Sequence, residues 1–124
     1  TNLHSKIIII DDMSTHLFLL QTILEEEGYK VIAANNGKDA LEHIANDKNI
    51  DLILLDIMMP ELDGYQVLQK VKTKDNHTSV PVIVVSAKTD STSIKKALEE
   101  GAYDYITKPL NVHDIKNKVK SALK

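Results

Sequence analysis

The sequence predicts an α/β domain in which helices cover both faces of a five-stranded parallel sheet. Short runs rich in Ile, Val and Leu alternate with longer amphipathic segments along the chain. Continuous apolar runs of four or five residues are typical of strands that are buried on both faces. Because strands and helices alternate strictly, the sheet is expected to be parallel, with right-handed crossover connections. We therefore predict a (βα)5 doubly wound architecture.

Five apolar segments are the predicted strands. Four of them are continuous runs, and the segment YKVIAA is a weaker candidate. Pro81 opens the fourth strand, where its missing N–H group is tolerated. The predicted strands lie near residues 6–10, 29–34, 51–55, 82–86 and 103–107.

The intervening segments carry apolar residues at helical spacing. The first helix is predicted to start at the N-cap Ser14 and to end at Gly28. Its apolar face carries Leu17, Leu20 and Leu24. The other helices are predicted over residues 37–46, 64–74, 91–100 (before a stop at Gly101) and 112–123.

Length and composition are those of one soluble domain. A chain of 124 residues is long enough to bury a core, and its net charge of −3 disfavours a dedicated nucleic-acid binder. There is no cysteine for a disulfide or for thiolate chemistry. The N-terminal isoleucine run is too short for a signal-peptide core, and no stretch approaches the ~20 apolar residues of a membrane helix. We expect a cytoplasmic protein that binds neither membranes nor nucleic acids directly.

Polar residues stand at the end of four predicted strands. Asp11 and Asp12 follow the first strand, and Asp56 follows the third. Ser86 ends the fourth strand, and Lys108 follows the fifth. In the flavodoxin-like strand order 2-1-3-4-5, the first and third strands are neighbours, and ligands bind at their carboxyl ends. Each residue alone is ordinary in a loop, but together they predict a metal and phosphoryl site.

The charges at this edge need compensation. Two carboxylates about 4 Å apart repel by roughly 4 kcal/mol at an effective dielectric constant of 20. A fold that gathers three must neutralise them with a cation, a proton or a lysine. Mg²⁺ prefers such a set of oxygens, so we predict Mg²⁺ as the cofactor, with Mn²⁺ as an alternative. Taken singly, Ser86 also fits a core hydroxyl bonded to its own backbone, and Lys108 fits a surface lysine. As part of this set, Ser86 would donate a hydrogen bond to a phosphoryl oxygen, and Lys108 would supply a fixed positive charge.

Several short motifs stand together with these residues. They are Asp11-Asp12, Asn36-Gly37 with Ala40-Leu41, LLDIMMP at residues 54–60, Asp63-Gly64, VVSA at residues 84–87, GAYDY at residues 101–105 and Thr107-Lys108-Pro109. In this combination, from Lys6 to Leu123, the chain resembles the receiver domain of the response regulators of two-component signalling. The resemblance implies a single receiver domain over residues 3–123.

The resemblance also implies a role for each residue of the site. Asp56 would be the phosphoacceptor, and Ser86 and Lys108 would complete the catalytic set. The ligands of Mg²⁺ would be Asp11, Asp12, Asp56 and the backbone carbonyl of Met58.

Other residues would act after phosphoryl transfer. Tyr105 would be an aromatic switch that turns inward as Ser86 moves toward the phosphoryl group. The peptide bond before Pro109 would be cis. Met58 and Lys88 would line the path of the attacking water, so we expect them to tune dephosphorylation.

The implied function is a phosphorylation-activated signalling switch, not an enzyme with turnover. The domain would take a phosphoryl group from the phosphohistidine of a histidine kinase or a histidine phosphotransfer protein. Phosphorylation would shift the surface of the fourth helix, fifth strand and fifth helix, which would control a downstream output domain or protein. Homodimer formation on phosphorylation is left open.

Three other functions are weighed against this one. A haloacid-dehalogenase-like, Mg-dependent phosphatase needs a second acid two residues after its nucleophile, where this chain has Met58. A flavodoxin-type cofactor binder would suffer repulsion between a phosphate and Asp11 and Asp12. A pseudo-receiver that serves only for docking usually has a broken acidic set, which is intact here.

The histidines show no spacing that is typical of metal ligands. We expect them to be solvated or to lie on helix surfaces. They are His4, His16, His43, His77 and His113.

Overall fold

The computed structural model describes residues 5–57, 64–73, 80–87 and 90–123. Strands and helices alternate along this part of the chain. The strands are β1 Lys6–Ile10, β2 Lys30–Ala34, β3 Ile50–Asp56, β4 Val82–Ser86 and β5 Asp104–Thr107. The helices are α1 Ser14–Glu26, α2 Gly37–Asn46, α3 Gly64–Thr73, α4 Ser91–Glu99 and α5 Val112–Ala122.

All the strand pairs are parallel, and the strand order is β2-β1-β3-β4-β5. This confirms the predicted flavodoxin-like (βα)5 sheet. In the register of β1 and β3, Ile10 pairs with Leu55. The next residues, Asp11 and Asp56, therefore leave the two strands at the same edge of the sheet.

Two apolar cores lie on opposite faces of the sheet. Ile8 and Ile10 of β1 face the core that is covered by α2, α3 and α4, whereas Ile7 and Ile9 face the core that is covered by α1 and α5. These four side chains are at most 2% exposed. Burial of each such side chain is worth about 1.5–3 kcal/mol, so the isoleucine run of β1 contributes to both cores.

The start of α1 differs from the prediction. Ser14 is the first helical residue, and the N-cap position is held by Met13, whose side chain makes no capping hydrogen bond. The backbone N–H of Met13 instead donates to Oδ1 of Asp11 at 2.9 Å. An aspartate commonly closes a turn onto the amide two residues later. The Asp11 carboxylate thus orders the turn that Ser14 was expected to cap.

The other helix ends have ordinary chemical causes. Gly28 and Gly101 follow α1 and α4 with φ angles of 92° and 109°, in the left-handed region that favours glycine. Side-chain oxygens of Asn36, Asp90 and Asn111 cap α2, α4 and α5 by accepting an amide of the first turn. Among the described residues, none of the helices has the length and apolar character needed to cross a bilayer.

Candidate functional site

Three carboxylates meet at the carboxyl edge of the sheet. One oxygen each of Asp11, Asp12 and Asp56 lies within 4.8 Å of the other two. Asp11 and Asp56 are 1% and 4% exposed, whereas Asp12 is open to solvent. A buried carboxylate is costly unless a positive charge or hydrogen bonds compensate it. The cluster expected from the ends of β1 and β3 is therefore present, and its two buried members need a nearby cation.

Lys108 supplies that positive charge. Its Nζ donates to Oδ2 of Asp11 at 3.0 Å and to Oδ2 of Asp56 at 3.3 Å. The side chain of Lys108 is only 13% exposed, so solvent screens these contacts weakly. The backbone N–H of Lys108 donates to the carbonyl of Ser86 at 2.8 Å, and its peptide bond to Pro109 is cis. The ends of β4 and β5 are thereby tied together beside the acids.

Ser86 lies on β4, the strand next to that of Asp56, and Tyr105 lies on β5, on the far side of β4. In the register of β3 and β4, Asp56 pairs with Val85, so Ser86 stands one residue further toward the carboxyl edge. Ser86 has no exposed surface. Tyr105 is 4% exposed and belongs to the same apolar cluster as Ala97 of α4. Tyr105 is thus buried in this structure, in the core on the face of the sheet that α4 covers.

His16 belongs to this site, although it was expected to be an ordinary solvated or helix-surface histidine. Its Nδ1 lies 3.2 Å from Oδ2 of Asp11 and 2.9 Å from Nζ of Lys108. His16 is a partly exposed histidine of α1, as expected, but its place beside the acids was missed. Because α1 begins only three residues after Asp11, its first turn stays at the carboxyl edge of the sheet. That short connection is the signal in the sequence that could have identified His16. The other described histidines, His43 and His113, are exposed as expected.

Some of the expected site residues lie outside the described part of the chain. Met58 and Lys88 are in this group, so the metal-binding carbonyl and the tuning of dephosphorylation remain predictions. His4 and His77 also lie outside it.

Comparison with known proteins gives one consistent family. Residues 7–120 match the family described as the response regulator receiver domain. The two-component response regulator ORR5 of rice (Oryza sativa) is 36% identical over 109 residues, which cover 88% of this chain and 81% of that protein. The transcriptional regulatory protein ZraR of Klebsiella oxytoca is 38% identical over 117 residues, which cover 94% of this chain but only 26% of ZraR.

A solved structure gives the same result for the fold. The crystal structure of a CheY-like response regulator receiver domain protein from Methanospirillum hungatei JF-1 superposes with a TM-score of 0.88 at 32% identity. The match covers 97% of this chain and 94% of that one. Aspartate phosphorylation and Mg²⁺ binding are general properties of this family, and the comparisons give no support to the phosphatase alternative. This chain belongs to the response regulator receiver domains of two-component signalling.

Proposed function

We propose that this chain is a phosphorylation-activated switch in which Asp56 accepts the phosphoryl group. The position of the Asp56 carboxylate carries the proposal. It is buried at the end of β3, within 4.8 Å of two other acids, and Lys108 Nζ lies 3.3 Å away. Asp11 and Asp12 follow β1 and place their carboxylate oxygens beside that of Asp56. They are therefore suited to bind a metal ion next to the acceptor. In this proposal residues 3–123 form one receiver domain.

The donor set fits Mg²⁺. Carboxylate oxygens are hard ligands, and Mg²⁺ is usually held by one or two of them together with water and phosphate oxygens. Asp11, Asp12 and Asp56 would hold the ion, with the carbonyl of Met58 as a further ligand; Mn²⁺ accepts similar ligands. When bound, the ion would supply positive charge to the oxygens of the phosphoryl group.

The residues of the chain would contribute position and charge. An oxygen of Asp56 attacks the phosphorus of a phosphohistidine in line, the P–N bond breaks, and the imidazole of the donor leaves. Lys108 donates a hydrogen bond to a phosphoryl oxygen, and Ser86 donates another. Because phosphoryl transfer needs little covalent help from the protein, such positioning accounts for most of the catalysis. The chain would catalyse only its own phosphorylation and dephosphorylation.

Phosphorylation would change the hydrogen-bond acceptors that Asp56 presents to the neighbouring side chains. An acyl phosphate dianion gives Ser86 and Lys108 more acceptor oxygens than the free carboxylate does. A difference in interaction energy between two conformations shifts their populations. Tyr105 connects β5 with α4 in the core, so we propose that the shifted surface is α4, β5 and α5. That surface would control an output domain or protein, with a phosphorylation-induced homodimer as one arrangement.

The acceptor is tested by labelling. The wild-type protein is incubated with Mg²⁺ and acetyl phosphate, and intact-mass spectrometry measures the addition of one phosphoryl group. Asp56→Asn should not be labelled. Asp51→Asn is the matched control, because Asp51 is an exposed aspartate at the opposite end of β3 from Asp56. Its carboxylate accepts a hydrogen bond from the backbone N–H of Lys6. Labelling of Asp56→Asn at the wild-type rate would refute the assignment.

A binding experiment examines the switch without turnover. Beryllofluoride and Mg²⁺ are added, and amide chemical shifts are followed by NMR. Shifts should spread from the site to α4, β5 and α5 in the wild type and in Asp51→Asn, but not in Asp56→Asn. Shifts that are confined to the carboxyl edge of the sheet would refute the proposed output surface.

A further inference from the structure

The ammonium group of Lys108 contacts three acceptors in the structure. Nζ lies 3.0 Å from Oδ2 of Asp11, 3.3 Å from Oδ2 of Asp56 and 2.9 Å from Nδ1 of His16. A lysine ammonium has three hydrogens and no lone pair. The three contacts thus match its three donors, and the shortest of them is to the imidazole nitrogen.

These contacts determine which ring nitrogen of His16 carries the hydrogen. Because Lys108 can only donate, Nδ1 of His16 must present its lone pair, and the ring hydrogen is on Nε2. The Nδ1 atom then has no hydrogen for Asp11. The 3.2 Å separation of His16 Nδ1 and Asp11 Oδ2 follows from two acceptors sharing one ammonium group.

We infer that His16 is a positioning residue for Lys108, and this inference rests on the proposed function of Asp56. Phosphorylation converts the Asp56 carboxylate into an acyl phosphate, so the longest of the three contacts is the one that must be exchanged. The contacts of Lys108 to His16 and Asp11 involve no reacting atom and are kept. They hold the ammonium in place while its third hydrogen passes from Asp56 to a phosphoryl oxygen.

Local structure supports this role. The N–H of His16 donates to the carbonyl of Met13 at 3.1 Å, and the N–H of Met13 donates to Oδ1 of Asp11. The other oxygen of Asp11, Oδ2, accepts from Lys108. One carboxylate therefore fixes both the turn that carries His16 and the lysine that His16 contacts. Lysine has a long, flexible stem, so two fixed acceptors limit its motion substantially.

The effect of removing the His16 imidazole on phosphorylation can be predicted in size. The imidazole side chain is 28% exposed, so water can replace its acceptor in a variant. One ordinary hydrogen bond corresponds to a change of roughly three- to tenfold in an equilibrium or a rate. We expect His16→Leu to lower both the rate of phosphorylation by acetyl phosphate and the affinity for beryllofluoride by about this factor.

A conservative variant separates positioning from a structural role. In His16→Asn, the amide oxygen can take nearly the place of Nδ1 and accept from Lys108, so near wild-type rates are expected. His43→Leu is the matched control, because His43 is an exposed histidine in α2. If His16→Leu reacts at the wild-type rate, or if His16→Asn is as slow as His16→Leu, the positioning role is overturned.

NMR of the unphosphorylated proteins gives readouts that do not need activity. With ¹⁵N-lysine, the ammonium signal of Lys108, assigned with Lys108→Ala, should be sharp in the wild type and in His16→Asn, and broadened by exchange in His16→Leu. The long-range ¹H–¹⁵N spectrum of the wild type should show the His16 ring with hydrogen on Nε2 alone. A hydrogen on Nδ1 of His16 would overturn the inference even if the variants did not fold.

The two proposals can fail separately. If the wild type is not labelled at Asp56, the proposed function fails, whatever the state of Lys108. If the wild type is labelled but the Lys108 signal and the reaction rate are unaffected by His16→Leu, only the positioning role fails.

Discussion

Lys108 Nζ donates a hydrogen bond to Asp56 Oδ2 at 3.3 Å, across 52 residues of sequence. The pair joins the carboxyl ends of β5 and β3, which are separated in the sheet by β4. The side chains of Lys108 and Asp56 are 13% and 6% exposed, so the charges face each other largely away from water. The same ammonium also contacts Asp11. One cation thus compensates two buried carboxylates.

Replacement of Lys108 should destabilise the fold, because the two buried carboxylates lose their positively charged partner. Removing one partner of a buried ion pair is strongly destabilising, so Lys108→Ala should lower the free energy of unfolding by about 3 kcal/mol in metal-free buffer. Urea denaturation with EDTA measures this change. Lys120→Ala is the control, because Lys120 is exposed in α5. An equal, small effect of both substitutions would contradict compensation by Lys108.

The fold and most of the site follow from strand patterning. A buried parallel strand gives a continuous apolar run, and its end is marked by the first polar residue, as at Asp56 and Ser86. Since parallel strands end at a common edge, side chains far apart in sequence could be placed together. The contacts of His16 do not follow from strand patterning. The short connection between β1 and α1 places the first turn of α1 at this edge, but the side chain that meets Lys108 depends on how α1 is rotated about its axis. The N-cap position of Met13 was also missed, because the turn before α1 is closed by the Asp11 carboxylate, which accepts the Met13 amide, and not by Ser14.

Gly64 should be intolerant of any side chain. A Cβ at this position would lie 2.2 Å from Cα of Ile57 and 2.8 Å from the carbonyl oxygen of Asp56. Both atoms are backbone, so relief requires α3 to move away from the end of β3. We expect Gly64→Ala to destabilise the fold by about 1–3 kcal/mol, as overpacking typically does.

Urea denaturation of Gly64→Ala checks this expectation. Gln66→Ala is the control in the same helix, because Gln66 is exposed and surface substitutions usually change stability by less than about 0.5 kcal/mol. Wild-type stability of Gly64→Ala would mean that α3 adjusts to the extra methyl group without cost.

Ionisation of Tyr29 should lower the stability of the fold at alkaline pH. Burial, together with the negative charge of Glu27, raises the pKa of Tyr29 above its ordinary value of 10.0. The folded state therefore holds the phenol proton more tightly than the unfolded chain does. The resulting stability is fully present below pH 10.0 and is lost as the pH rises through the pKa of the folded state.

Thermal melts at a series of pH values above 9.5–10 test this on Tyr29→Phe, which has no phenol to ionise. The fall of Tm with rising pH should be shallower in Tyr29→Phe than in the wild type. Glu27→Gln should give an intermediate slope, because the charge of Glu27 is the smaller of the two causes. Parallel curves for the wild type and Tyr29→Phe would contradict the assignment.

Asp12 should matter for the metal more than for the fold. It is the exposed member of the acidic cluster, and Lys108 contacts the other two. Asp12→Asn removes a repelling charge, so metal-free stability should be equal to or higher than that of the wild type. The same change replaces a negatively charged ligand of Mg²⁺ with a neutral amide, so the affinity for Mg²⁺ should fall by roughly tenfold or more.

Two measurements separate these effects of Asp12→Asn. Titration with Mg²⁺ gives the dissociation constant, and thermal melts with Mg²⁺ or EDTA give the stabilisation by the ion. Ions that bind only the folded state raise Tm, so the wild type should gain stability with Mg²⁺, and Asp12→Asn should gain much less at the same concentration. Asp39→Asn is the control, because Asp39 is an exposed acid in the first turn of α2. If Asp12→Asn binds Mg²⁺ as tightly as Asp39→Asn does, the ion does not use the Asp12 carboxylate.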